Sequence, residues 1–146
     1  MSATVDANVL LYASDEESPF HPRAVGFLEE LARGPALLYL FWPTVLAYLR
    51  IATHPSIFRS PLSHEVASAN VAGLLALPHV QTAGEADRFW STYMDVAGDA
   101  AISGNLVPDA HLVALMRENG VRTMWTNDRD FRRFAGLELR DPFARG

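Results

Sequence analysis

The chain has 146 residues, 49% of them hydrophobic and 20% charged, which suits one compact domain able to bury about 68–70% of its unfolded surface and excludes a disordered or collagen-like polymer. Seventeen acidic residues against twelve basic ones leave a net charge of −5, which disfavours indiscriminate coating of nucleic acid but leaves a local site open. There is no cysteine and every basic residue is arginine, so disulfide scaffolds, thiolate zinc sites, cysteine nucleophiles, Schiff-base lysines and P-loop lysines are excluded.

Residues 3–6, Ala-Thr-Val-Asp, predict a short buried strand that runs into Asp6 and Asn8, residue types that end strands and open helices. The N-terminus has no basic residue ahead of this stretch, which argues against a secretory signal. A helix starts at Val9 to Tyr12, and a second spans His21 to Arg33, with Ala24, Phe27, Leu28 and Leu31 on one face. Gly34-Pro35 stops it. Ala36 to Phe41 is the strongest strand pattern, apolar throughout as a strand covered on both faces should be. The apolar run there ends at Trp42 after seven residues, far short of the roughly 20 a membrane helix needs. No membrane span is expected, and the cytoplasm is the expected compartment.

Pro43 fits the first turn of a helix reaching about Thr53. The loop His54 to Pro61 follows, and Ser63, with Val66 three residues on, caps a helix to Leu77. Val80 to Thr82 reads as a short strand, and Glu85 to about Ile102 as a helix broken by Ser103-Gly104-Asn105. Pro108 to Asn119 is a helix closed by Gly120. Val121 to Thr126 is a strand, Asn127-Asp128 opens a short helix through Arg133, and Leu137 to Leu139 is an edge strand. This alternation predicts an α/β fold with a mostly parallel sheet covered on both sides. No repeat or linker divides it, so residues 1–146 read as one domain.

In open parallel sheets, ligands bind beyond the carboxyl ends of the strands. Asp6, Asp109 and Asp128 are all expected there. An unpaired buried carboxylate costs several kcal/mol, and a shared cation would offset it. Oxygen-only donors favour Mg²⁺ or Mn²⁺ over structural zinc. Each residue also has a plain structural reading: Asp6 as an N-cap, Asp109 at the favourable end of a helix dipole, Asp128 as a turn initiator. Three caps coinciding at three strand exits are a poorer account than one metal centre. Asp130 has two readings, an ion ligand through water or a solvent-facing charge.

The strings Val5-Asp6-Ala7-Asn8-Val9-Leu10-Leu11-Tyr12, Gly104-Asn105-Leu106-Val107-Pro108-Asp109-Ala110-His111-Leu112 and Thr126-Asn127-Asp128-Arg129-Asp130-Phe131 resemble the successive motifs of PIN-domain nucleases. A further string, Trp42-Pro43-Thr44-Val45-Leu46-Ala47-Tyr48-Leu49-Arg50-Ile51-Ala52-Thr53-His54-Pro55, is similar to a branch of the VapC toxins of bacterial toxin-antitoxin pairs. The resemblance spans almost the whole chain in order and spacing. It implies a PIN-like three-layer fold and a metal-dependent endoribonuclease, with a VapB-type antitoxin covering the site. By motif match it places Asp6, Asp109 and Asp128 in the catalytic and metal-ligand positions, with Asn8 and Thr126 as supporting polar groups. It further implies in-line attack of water on phosphorus, leaving 5′-phosphate and 3′-hydroxyl ends, with Mg²⁺ or Mn²⁺ as cofactor.

One departure stands out. Many PIN nucleases carry a glutamate in the helix after the second strand, whereas no acidic residue lies between Glu30 and Glu65 here. The similar VapC branch lacks it too, so the gap bears on a second tightly held metal more than on activity. It also motivates the rival reading, a PIN-like RNA- or protein-binding scaffold without catalysis. Phosphatases of the haloacid-dehalogenase kind and response receivers also place aspartate after a first strand, but they need a lysine and this chain has none.

His111, two residues after Asp109, is expected to point away from it around a helix of about 3.6 residues per turn, and His54 sits in a proline-flanked loop. Both are expected to be structural or solvent-facing. Arg50, Arg129, Arg132 and Arg133 are candidates for RNA phosphates, although helix-dipole pairing is the commoner role of such arginines. Seven of the arginines fall between Arg117 and Arg145, an arginine-rich end suited to phosphates or a drift in composition. Trp42, Trp90 and Trp125 are expected in the core rather than stacked on bases. An acidic crevice invites a cationic antitoxin segment. A homodimer is expected from the resemblance, with Ala67 to Leu77 either its contact face or packed on this chain's own sheet.

Overall fold

A computed structural model describes residues 2–144 of the chain. Five strands form one sheet: Ser2–Val5 (β1), Leu37–Phe41 (β2), Val80–Ala83 (β3), Thr123–Trp125 (β4) and Glu138–Arg140 (β5). Their order is β3-β2-β1-β4-β5, and every pairing is parallel. The helices are Ala7–Ser14 (α1), His21–Arg33 (α2), Trp42–Ala52 (α3), His64–Leu75 (α4), Phe89–Ala100 (α5) and Val107–Glu118 (α6), with 3-10 segments at Gly104–Leu106 and Arg129–Arg133.

The sheet separates two cores. Alternation along β2 sends Leu38 and Leu40 to one side, where they meet Leu10, Val45, Tyr48, Ala67 and Val71 from α1, α3 and α4. Tyr39 and Phe41 face the other side, against Val96 of α5 and Val113, Leu115 and Met116 of α6. Each large apolar side chain fully buried in these layers contributes roughly 1.5–3 kcal/mol. The result is the three-layer α/β arrangement expected of the sequence. Among the described residues, no helix is long and apolar enough to cross a membrane.

Chain direction decides where ligands go. From β1 the chain moves outward to β2 and β3, then returns past β1 to lay down β4 and β5. The switch of direction falls between β1 and β4, whose last residues, Val5 and Trp125, are register partners. The Asp6 N–H continues that ladder by donating to the Trp125 carbonyl at 3.0 Å, and the Thr126 N–H donates to the Arg140 carbonyl at 2.9 Å. The crevice therefore opens where Asp6 and Thr126 leave the sheet.

Several local expectations need correction. The helix expected from Glu85 starts at Phe89, because the Ala86 N–H is held at 3.1 Å by Glu118 Oε1 in a non-helical turn. It ends at Ala100, since Ala101 takes a left-handed φ of 52°. Trp90 and Trp42 are not core residues: they are 69% and 43% exposed, standing on the outer faces of α5 and α3. Trp125 is partly buried, with Phe27 at a centroid distance of 4.9 Å and the Arg140 guanidinium 5.7 Å from its ring. Arg50 lies eight residues below the start of α3, about 12 Å along its axis, at the end of the sheet away from the crevice. In the helix expected from Ser63 to Leu77, Ala67 and Val71 pack into this chain's own core.

The C-terminal segment closes the molecule. Phe143 is buried against Tyr12 and Phe20 at centroid distances of 5.6 and 4.9 Å, and Arg23 Nη1 donates to its carbonyl at 2.9 Å.

Candidate metal centre

Asp6 follows β1 with extended backbone (φ −73°, ψ 146°) and caps α1, one carboxylate oxygen accepting the Asn8 N–H at 3.4 Å. The other oxygen accepts the Thr126 hydroxyl at 2.9 Å. Thr126 lies beyond β4, and its hydroxyl oxygen also accepts the Asp128 N–H at 2.9 Å. A single buried hydroxyl thus ties the exits of β1 and β4 together. Asp6 is 9% exposed and Thr126 5%, so this link is shielded from water and geometrically fixed.

Above it, Asp109, Asp128 and Asp130 offer carboxylate oxygens that all lie within 4.8 Å of one another. Asp109 is in the first turn of α6 after Pro108 and not at the strand exit expected of it, because α5 and the 3-10 turn Gly104–Leu106 separate it from β3. The Asp128 carboxylate also accepts the Asp130 N–H at 2.9 Å, which starts the 3-10 segment. Asp6 sits outside this tightest grouping but within electrostatic reach: its charge raises the pKa of Asp109, and that of Asp128 raises its own. Asn8 contributes its backbone N–H; its side-chain amide makes no hydrogen bond among the described residues.

The electrostatics are those of unneutralised charge. Burial, then repulsion by Asp128, Asp6 and Asp130, pushes the Asp109 pKa up to about 6, with Arg133 pulling it back. Burial likewise raises Asp6, opposed by the Thr126 and Asn8 hydrogen bonds. Carboxylates arranged this way repel each other and offer only hard oxygen donors, so the set fits a divalent cation of the Mg²⁺ or Mn²⁺ type. No carboxylate comes from α3, where Tyr48 instead bonds through its hydroxyl to Ser14 Oγ at 2.7 Å and Asn70 Nδ2 at 3.1 Å.

The 3-10 segment sorts its side chains into three rows, because positions three apart eclipse in such a helix. Phe131 and Phe134 are buried in the second core. Asp130 and Arg133 act on Asp109. Arg129 and Arg132 line an adjoining hollow with Asn127, Leu139, Arg140 and Asp141. Within the arginine-rich end, Arg140 was not singled out from the sequence; its place on an edge strand carries no local signal. His111 turns away from the acidic group, as its spacing predicts, and pairs with Glu85 against Phe89.

Comparison with known proteins decides the family. The PIN-domain family model matches residues 3–137. Ribonuclease VapC48 of Mycobacterium tuberculosis is 50% identical over 144 residues, 99% of either chain. The chain belongs to the VapC family of PIN-domain ribonucleases. The VapC fold is seen in VapBC2 of Rickettsia felis bound to a DNA fragment from their promoter, with a TM-score of 0.68 at 19% identity over 97% of this chain and 98% of that one. It is seen too in Mycobacterium tuberculosis VapC20, a sarcin-ricin loop cleaving toxin, with a TM-score of 0.67 at 18% identity over 93% of this chain and 96% of that one. Divalent-metal dependence is general among PIN-domain ribonucleases, and the oxygen-donor set of this VapC-family chain suits it.

Proposed function

We propose that this VapC-family PIN domain is the toxin of a VapBC-type pair, an endoribonuclease in which Asp6, Asp109 and Asp128 serve as catalytic residues around Mg²⁺ or Mn²⁺. The observation that carries this reading is the meeting of carboxylates from the exits of β1 and β4 and from the first turn of α6, with Asp109 and Asp128 in mutual reach and Asp6 tied to Asp128 through Thr126. A bound divalent ion supplies Lewis acidity toward a phosphodiester and a lowered pKa for water.

The chain's own residues do the rest. Asp109 and Asp128 would hold the ion, with the Asp130 carboxylate in reach of both. Asp6 holds negative charge deeper in the crevice. Thr126 fixes its orientation by donating to it while accepting from the Asp128 backbone, so neither carboxylate needs to reorganise when substrate arrives. Arg133, itself exposed, moderates the charge on Asp109.

The acidic crevice also suits a cationic segment of a VapB-type antitoxin, whose arginine would compete with the ion for the same oxygens. The protein acts in the cytoplasm, as a homodimer, with residues 1–146 as one domain. The experiment is cleavage of total RNA by purified protein with Mn²⁺ or Mg²⁺, with excess EDTA, and with Asp6→Asn or Asp109→Asn. Ion-dependent cleavage lost in both variants supports the reading. Cleavage that survives EDTA, or both substitutions, overturns it. No cleavage at any metal concentration favours the binding-scaffold reading, which the absence of a carboxylate on α3 motivates.

A further inference from the structure

We infer that the hollow beside the acidic crevice, walled by Asn127, Arg129, Arg132 and Arg140, is a seat for a backbone phosphate of single-stranded RNA that flanks the bond to be cut. This rests on the endoribonuclease reading above and assigns a positioning role to residues outside the carboxylate group.

The hollow holds about 220 Å³ and shares Thr126 and Asp128 with the crevice. The two compartments are therefore neighbours along one surface, as consecutive phosphates of one strand require. The 3-10 period keeps them chemically distinct. Arg129 and Arg132, three apart, line the hollow, while Asp130 and Arg133 turn to the carboxylates. One short segment thus presents guanidinium groups to one phosphate and a carboxylate to the centre acting on the next.

Charge in the hollow favours an anion. Three guanidinium groups face two carboxylates, and both carboxylates are committed elsewhere. Asp128 belongs to the metal-binding group. Asp141 accepts the Phe143 N–H at 2.8 Å and so caps its own turn. Arg140 is already placed: it pairs with Glu138 and lies over the Trp125 ring, a stiff wall rather than a free ligand. Arg129 and Arg132 are exposed and make no ion pair among the described residues. Guanidinium forks match phosphate oxygens bidentately, so these two are the groups able to close on a phosphate.

The test measures metal-free binding of a fluorescent single-stranded oligouridylate in EDTA across a salt series. The wild-type protein, Arg129→Gln, Arg132→Gln, the double variant and Arg33→Gln are compared, Arg33 lying at the opposite end of the sheet. Each hollow variant is expected to reduce the slope of log Kd against log salt by about 0.7, the value for one single-strand phosphate contact. The double variant should bind several-fold more weakly at unchanged Tm, with Arg33→Gln like wild type. In cleavage assays the loss should fall on KM.

Wild-type protein that does not bind the probe, or a double variant with unaltered slope, overturns the inference. So does a double variant that loses antitoxin binding but keeps RNA binding, which would make the hollow a protein contact. Because the binding arm contains no metal, a salt slope that responds in a protein that never cleaves would remove the nuclease reading while leaving the phosphate seat standing.

Discussion

Thr126 holds two partners with one hydroxyl, and both are lost together in Thr126→Ala. The substitution strands a buried carboxylate oxygen and a backbone N–H, and is expected to cost about 1–3 kcal/mol, with Thr126→Ser recovering most of it; urea unfolding measures both. Asp109 sets the acid response of the metal-free protein. Its folded pKa of about 6 lies above the ordinary value of 3.8, so its protonated form is the stabilising one. That contribution is complete below pH 3.8 and is lost as pH rises through about 6. In EDTA, this group should therefore raise the Tm as pH falls from about 7 to about 5, and Asp109→Asn should flatten that change. Saturating Mg²⁺ is expected to raise the Tm of wild type more at neutral than at acid pH, because the ion competes with the proton for the same oxygens. The positions of Asp6 and Asp128 were legible because each follows an apolar strand and opens a helical segment, and that of Asp109 because Pro108 marks a first helical turn. That Asn8 acts through its backbone was not, since spacing does not say which atom of a residue is used.

The 3-10 segment shows how far apart neighbouring residues can lie in consequence. Phe131→Ala removes a ring from the second core and is expected to cost about 3–5 kcal/mol. Arg129→Gln, two residues away but exposed, should stay within about 0.5 kcal/mol; thermal melts of the two variants check the contrast. A short helix there was legible from Asn127-Asp128, but its threefold sorting was not, because five residues are too few for a period of three to stand out from one of 3.6. The span of α2 agrees residue for residue with its sequence signals, since proline near its start and glycine past its end act on the backbone directly. The start of α5 escaped because the bond that unwinds it comes from Glu118, 32 residues on. The exposure of Trp42 and Trp90 was equally hidden: composition marks a ring as apolar without saying which face of its helix is covered.

At the scale of the molecule, alternation of strands and helices announced a parallel sheet, but not that β1 is its centre. That depends on the late return of β4 to its free side, which no local pattern encodes. The same long reach governs the C-terminal end. Phe143 binds the chain's last described turn to Tyr12 and Phe20 near its start, so Phe143→Ala is expected to lower the Tm markedly without touching the crevice, as calorimetry beside an RNA-cleavage assay would show. The indole of Trp125 precedes Thr126 and is wedged between Phe27 and a guanidinium, while the other two tryptophans stand in solvent. An aqueous quencher such as iodide would darken Trp42 and Trp90 first. The residual emission would then come from a fluorophore one peptide bond from Thr126, whose hydroxyl bonds Asp6 and Asp128, giving an optical titration of ion arrival with no dye or label attached.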